Sequence, residues 1–144
     1  MVVTIEHIGS TAVPGSAAKP IIDMLLAVQS LEQARLAFPD LLVQLGYRQM
    51  VEYEAWLPDE MLFRRGMPGP WTHHAHVVEA GSDRWQEYIG IRDYLRRHSD
   101  VAAAYGDLKR ALAVLFGDDI AGFREGKRPF LREVLARARL ERGR

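Results

Sequence analysis

Cysteine is absent from this 144-residue sequence. A disulfide framework, a cysteine-ligated zinc centre and thiol catalysis are excluded with it. Net charge is absent as well. The 19 Lys+Arg balance 19 Asp+Glu, with a pI near 7.0, which argues against a nucleic-acid coat or a polybasic membrane binder. No apolar run approaches the roughly 20 residues that a membrane span needs, and no basic-then-apolar leader follows Met1. Internal repeats, low-complexity tracts and long Pro/Gly/Ser linkers are missing too. These exclusions leave one expected domain, residues 1–144, in a cytoplasmic protein without membrane contact. A chain of this length buries roughly two-thirds of its unfolded surface.

Charge is present but unevenly placed. Residues 121–144 hold eight Lys/Arg against three Asp/Glu. Such a segment is either a solvated helix face or an electropositive wall beside an anionic ligand.

The hydrophobic period changes along the chain. The first 80 residues read as short β-rich runs broken by one helix. Val2–Ile5 opens as a strand, and Pro20–Val28 is an almost unbroken apolar run, expected to be buried on both faces and central in its sheet. Ser30 stands at an N-cap position with Gln33 three residues on. The helix from Leu31 is expected to break near Phe38-Pro39, since proline has no N–H to donate, and to end at Gly46. Strands follow at Tyr47–Tyr53, Met61–Arg65 and His73–Glu79, the last two joined by a turn at Gly66-Met67-Pro68-Gly69-Pro70. From Ser82 the period is helical. Trp85, Ile89, Arg92 and Leu95 share one face; Val101, Tyr105, Leu108, Leu112 and Leu115 share another; Phe130, Val134, Leu135 and Ala138 share a third. The fold class is therefore α+β, a mixed sheet of four or five strands packed with helices and followed by a helical segment, 82–144.

The segment richest in chemistry is Ile5-Glu6-His7-Ile8-Gly9-Ser10-Thr11-Ala12-Val13-Pro14-Gly15, followed by Ala18-Lys19-Pro20-Ile21-Ile22-Asp23. A strand runs into a turn of small residues, and a second strand presents a carboxylate. Gly9 lets backbone approach a ligand closely, and Ser10 and Thr11 supply hydroxyls and N–H groups suited to phosphate oxygens. Lys19 is placed to neutralise the same phosphates, and Asp23 to hold a bridging divalent ion. These roles belong to phosphoryl or nucleotidyl transfer, where catalysis is positioning and charge neutralisation. The alternative is an ordinary turn with a loop-capping Asp. The pattern is no Walker A loop, lacking GxxxxGK[ST].

The stretch from His7 to Asp23 resembles the signature of the GrpB family. The resemblance continues through His74-Ala75-His76-Val77, Arg92-Asp93-Tyr94-Leu95, Tyr105, Lys109 and Lys127, and so covers essentially the whole chain. That family is similar to the nucleotidyltransferase superfamily, with its polymerase-β-like fold, and has no established activity. The resemblance implies that Gly9 and Ser10 bind nucleotide phosphates and that Asp23 is the first metal-binding carboxylate. A second carboxylate is expected at position 25, where this chain has Leu25, and a third on a neighbouring strand, where it offers His74, His76 and Glu79. Family members usually carry a further N-terminal segment with a helix. The helical faces such a segment would shield are expected to be either exposed or covered by a partner chain, as in a homodimer. Some relatives are fused to dephospho-coenzyme A kinase, which implies a coenzyme A-linked accessory role.

His74 and His76 lie two apart and share one face of a strand, with His73 pointing away. With Asp23 they form a His-His-carboxylate set suited to Mn²⁺, Fe²⁺ or Zn²⁺, and His7 is a candidate fourth member. A hydrogen-bonded surface pair and a metal-free phosphate contact are the other two readings. Glu6 is either a general base or a charged edge residue. Trp56, Trp71 and Trp85 are first expected in packing, and at most one of Arg64 and Arg65 faces the pocket. Three functions stay open. The first is a metal-dependent nucleotidyltransferase with Asp23 and His76 as catalytic residues, Gly9, Ser10, Thr11 and Lys19 on the phosphates, and Mg²⁺, Mn²⁺ or Zn²⁺ on Asp23, His74 and His76. The second is a catalytically degenerate module that binds a nucleotide or other phosphorylated small molecule. The third is a metal-dependent hydrolase on Asp23, His74 and His76.

Overall fold

A computed structural model describes residues 1–15, 20–66 and 68–143. Lys19 and Met67 lie outside the described residues. Five strands, β1 (Val2–Ile8), β2 (Ile22–Val28), β3 (Tyr47–Gln49), β4 (Glu60–Arg65) and β5 (His73–Glu79), form one mixed sheet in the order β1-β2-β5-β4-β3. Only β2 and β5 run parallel; the other pairs are antiparallel. The helices are α1 (Leu31–Gln44), α2 (Val51–Glu54), α3 (Asp83–Arg97), α4 (Ser99–Phe116) and α5 (Ile120–Arg142). The α+β class and the sheet-then-helix order follow the sequence reading.

Strand alternation divides the core in two. Leu26, Val28, Ala75, Val77, Met61 and Phe63 point to one side and are covered by Ala34, Phe38 and Leu42 of α1. Leu25 and Val78 point to the other, packed with Ile8 and with Trp85, Tyr88 and Ile89 of α3. Beyond α3, a third apolar cluster joins Val13, Tyr94 and Leu95 to Ala102, Val134 and Ala138, so α4 and α5 extend the layer on that side. β2 is an interior strand, flanked by β1 and β5, and its unalternating apolar run reflects cover on both faces.

Local signals set the helix ends. Ser30 Oγ accepts from the Gln33 N–H at 3.2 Å, and Ser82 caps α3 through the Trp85 N–H. Gly46 follows the C-cap of α1 with φ +88°, a backbone conformation that a side chain disfavours.

Three expectations need correction. The helix does not break at Phe38-Pro39; α1 runs through Pro39 to Gln44. Proline removes one backbone donor, and the burial of Ala34, Phe38 and Leu42 against the sheet outweighs that loss. Tyr47–Tyr53 is not one strand, because β3 stops at Gln49 and Val51–Glu54 is a helical turn. The Glu54 carboxylate causes the wrap, accepting from Gln49 Nε2 at 3.0 Å and from the Leu62 N–H at 3.2 Å. Leu115 does not join the α4 stripe but is 73% exposed, since Leu112 is the last buried residue of that helix.

Candidate functional site

The parallel register of β2 on β5 sets Asp23 opposite His74 and Leu25 opposite His76. All four project from the sheet face that α3 covers, because alternate strand residues share a face. β4 adds Arg64 opposite His74 and Leu62 opposite His76 on the same face, with Glu60 one step further along. Three residues remote in sequence thereby converge. His74 Nδ1 lies 3.1 Å from Asp23 Oδ1, and His76 Nε2 lies 3.3 Å from the same oxygen. One ligand atom from each of Asp23, His74 and His76 falls within 4.8 Å of the others.

A second layer fixes His76 from behind. Its Nδ1 is 3.3 Å from Glu60 Oε1, and the Tyr88 hydroxyl donates to Glu60 Oε2 at 2.9 Å. Arg84 Nε stands 3.5 Å from the same carboxylate. Glu60 is 1% exposed, a buried charge held by an imidazole, a phenol and a guanidinium. Burial works against charge on both Asp23 and His76, yet their mutual hydrogen bonds prevail. The two imidazoles hold the Asp23 carboxyl well below its usual range, and Asp23 and Glu60 together push His76 up to about 9. Burial and the Glu60 carboxylate raise the Tyr88 hydroxyl well above its ordinary value, so it remains a donor.

The donor set suits a metal ion. Two imidazoles and a carboxylate are borderline ligands fit for Mn²⁺, Fe²⁺ or Zn²⁺. His76 presents Nε2 to the site because Nδ1 faces Glu60, the carboxylate–histidine arrangement that orients metal ligands in general. His74 Nε2 is buried with no partner among the described residues, so hydrogen bonding ties this ring only through Nδ1, to Asp23.

The turn after β1 closes over this floor. Gly9 has φ +75°, and a Cβ there would meet Asp23 Oδ2 at 2.6 Å, so the backbone passes where no side chain fits. Arg92 and Arg96 of α3 clamp the turn. Arg92 reaches Glu6 at 2.8 Å and the His7 carbonyl at 3.2 Å, and Arg96 donates to the Ala12 carbonyl at 2.8 Å. Glu6 is thus the ion-pair partner of Arg92. Lys109 of α4 donates to Ser10 Oγ, with its ammonium over the Tyr105 ring, and burial lowers its pKa. A cavity of about 330 Å³ opens beside Asp23 and His76, walled by Gly9, Ser10, Tyr105, Lys109 and Lys127.

Not every residue singled out in the sequence reaches this cavity. The Thr11 hydroxyl donates to the Ile21 carbonyl at 3.3 Å and lies 2.8 Å from His7 Nε2, so both side chains are engaged with each other beside the turn. His7 is outside the Asp23–His74–His76 group. His73 turns to the Thr72 hydroxyl, 2.8 Å away, and Glu79 caps the Leu31 N–H. Arg64 places its guanidinium between the rings of Tyr53 and Trp71. Sequence reasoning missed Glu60 and Tyr88 as site residues. The acidic pair Asp59-Glu60 directly before the apolar run Met61-Leu62-Phe63 was the one available sign of Glu60.

A family model described as GrpB protein matches residues 1–137. The chain is 42% identical to UPF0157 protein PA4798 of Pseudomonas aeruginosa over 93% of its own length and 54% of that protein. It is 38% identical to UPF0157 protein YqkA of Bacillus subtilis over 88% of its length and 36% of that protein. The chain therefore spans about half, or less, of these two relatives. A dephospho-CoA kinase of Mycobacterium leprae aligns at 30% identity over 93% of this chain and 38% of that enzyme. The crystal structure of conserved protein GrpB from Enterococcus faecalis superposes with a TM-score of 0.85 at 33% identity, covering 99% of this chain and 84% of that one. Sequence and fold agree along nearly the whole length, and the chain belongs to the GrpB family.

Proposed function

We propose that Asp23, His74 and His76 hold one divalent metal ion, and that the adjoining cavity takes the phosphate groups of a nucleotide or similar phosphorylated molecule for metal-dependent nucleotidyl transfer. One observation carries this reading. Three ligand atoms within 4.8 Å form the floor beside a cavity whose walls bear Ser10, Lys109 and Lys127. When bound, the ion would withdraw charge from phosphate oxygens as a Lewis acid. The chain's own groups do the rest. Ser10 and the Gly9 backbone position the phosphates, and Lys109 and Lys127 neutralise them. An acceptor oxygen bonds to the α-phosphorus as the bond to the leaving pyrophosphate oxygen breaks, and the acceptor's proton passes to solvent. The transferase part of this reading is supported by the strand-then-turn placement of Gly9 and Ser10 before Asp23, which resembles the phosphate-binding turn of the nucleotidyltransferase superfamily.

Leu25 favours a second reading. It is fully buried and packed with Ile8 and Val78, at the position where a second carboxylate would hold a second ion. A chain so built binds the phosphorylated ligand as an accessory module and performs no chemistry. The alignment with a dephospho-CoA kinase makes coenzyme A a ligand worth including in the test.

Calorimetric titration with Mn²⁺, then with nucleoside triphosphates and coenzyme A with and without Mn²⁺, separates the readings. The transferase predicts Mn²⁺ binding that is lost in Asp23→Ala, nucleotide binding that strengthens with the ion, and pyrophosphate release. The accessory module predicts nucleotide or coenzyme A binding that survives Asp23→Ala and no release. Failure of the wild-type protein to bind Mn²⁺ or Zn²⁺ would sink the metal site.

A further inference from the structure

A second, larger concavity of about 740 Å³ lies against the first, sharing Tyr88, Ile91, Lys127 and Leu131 as a common wall. No residue of the metal-ligand set lines it. Its cations come mainly from one stripe of α5. Arg124, Lys127, Arg128 and Arg132 recur at helical spacing, with Leu131 and Leu135 lining the same groove. Arg84 of α3 adds a fifth basic side chain, and only Glu87 and Glu125 are acidic. The basic excess of the C-terminal segment is therefore a wall of this groove as well as a solvated helix face.

These cations differ in what already neutralises them. Arg84 is committed to Asp59, Glu60 and Glu87. Arg128 pairs with Glu125 across one exposed helical turn, a contact that contributes little in water. Arg132 has no ion-pair partner among the described residues. The groove is also lined by Trp56, 63% exposed, with the Arg124 guanidinium 5.4 Å from its ring centroid. A large exposed indole at the edge of a basic concavity offers a planar apolar surface next to anion-binding groups.

From this we infer that the groove is a binding site for a second ligand, a ring-bearing phosphate of the nucleoside-monophosphate class. Its phosphate would sit on Arg128 and Arg132, and its ring would stack on Trp56. The volume falls in the range of small-molecule sites, roughly 300–1,000 Å³. The shared wall would bring this ligand beside the cavity at Asp23 and His76. The inference rests on the proposed function for the ligand's role as the partner substrate, but its binding needs no metal.

AMP and inorganic phosphate, titrated calorimetrically into EDTA-treated protein, test it. The wild type should bind AMP more tightly than phosphate. Arg128→Glu/Arg132→Glu, both exposed on α5, should weaken AMP by more than tenfold, with circular dichroism confirming the fold. Trp56→Ala should weaken AMP by about tenfold, the low end of one stacking contact, and leave phosphate unchanged. Asp23→Ala should change neither. The inference is overturned if AMP does not bind, if charge reversal leaves its affinity intact, if Trp56→Ala has no effect, or if Asp23→Ala abolishes binding and so places AMP in the smaller cavity. Failure of the metal site would show instead as absent Mn²⁺ binding by the wild type, an outcome these titrations do not depend on.

Discussion

Glu60, the buried carboxylate of β4, lies 3.3 Å from Nδ1 of His76, while Nε2 of the same ring lies 3.3 Å from Asp23. One imidazole thus bridges a buried acid and a solvent-accessible one. Glu60 sets which nitrogen of His76 faces the cavity, so removing its charge should act on the metal without touching it. Glu60→Gln keeps the volume and should weaken Mn²⁺ or Zn²⁺ binding by roughly 10- to 100-fold, as loss of an outer-layer partner does in metal sites generally. Calorimetric titration measures it; an unchanged affinity would assign Glu60 to packing alone.

The same bridge makes the metal-free protein sensitive to pH. His76 is raised from the ordinary 6.5 to about 9 in the folded chain. A raised pKa means that protonation stabilises the fold. That contribution is complete below pH 6.5 and is lost as pH climbs through about 9. Asp23 works at the other end, with a depressed pKa whose contribution is present above its ordinary 3.8 and lost as acid protonates it. The melting temperature in EDTA should therefore fall between pH 6.5 and 9, and His76→Gln should flatten that slope. Metal affinity should climb across the same window, because an ion and a proton compete for the imidazole.

How much of this site was visible in the sequence depends on how local its causes are. The pairing of His74 with His76 follows from strand alternation, and Gly9-Ser10 with Asp23 from a motif whose parts lie within 15 residues of each other. Ser30 and Gly46 marked the ends of α1 because capping involves only near neighbours. Glu60 and Tyr88 were not legible, since their meaning arises from β4 and α3 meeting at His76. Pro39 misled for the same reason. Its local cost is plain in the sequence, but the burial of Phe38 and Leu42 that outweighs it is a property of the sheet.

Gly9 supplies a steric test. Its φ of +75°, and the mere 2.6 Å that would separate a Cβ from Asp23 Oδ2, make any side chain there doubly unfavourable. Gly9→Ala should destabilise the fold by about 1–3 kcal/mol, the range for a residue forced into a strained backbone region. It should also displace the Asp23 carboxylate and weaken metal binding. Urea unfolding with a parallel Mn²⁺ titration checks both; an intact metal affinity would show that the turn can move away from Asp23.

Lys109 separates phosphate binding from metal binding. Its ammonium donates to Ser10 Oγ and lies 4.6 Å from the Tyr105 ring centroid, and burial lowers its pKa while Asp23 opposes that shift. Lys109→Met keeps most of the apolar stem and removes the charge. Mn²⁺ affinity should then stay within about twofold, because the ion's proposed ligands are untouched, whereas ATP affinity in the presence of Mn²⁺ should fall about tenfold, the loss of one partly buried charge-assisted contact at ~1.4 kcal/mol. Equal losses for both would mean that Lys109 supports the floor through the Gly9–Ser10 turn. No loss for ATP would place the phosphates elsewhere, since a nucleotide seated against Ser10 cannot avoid the ammonium bonded to that hydroxyl.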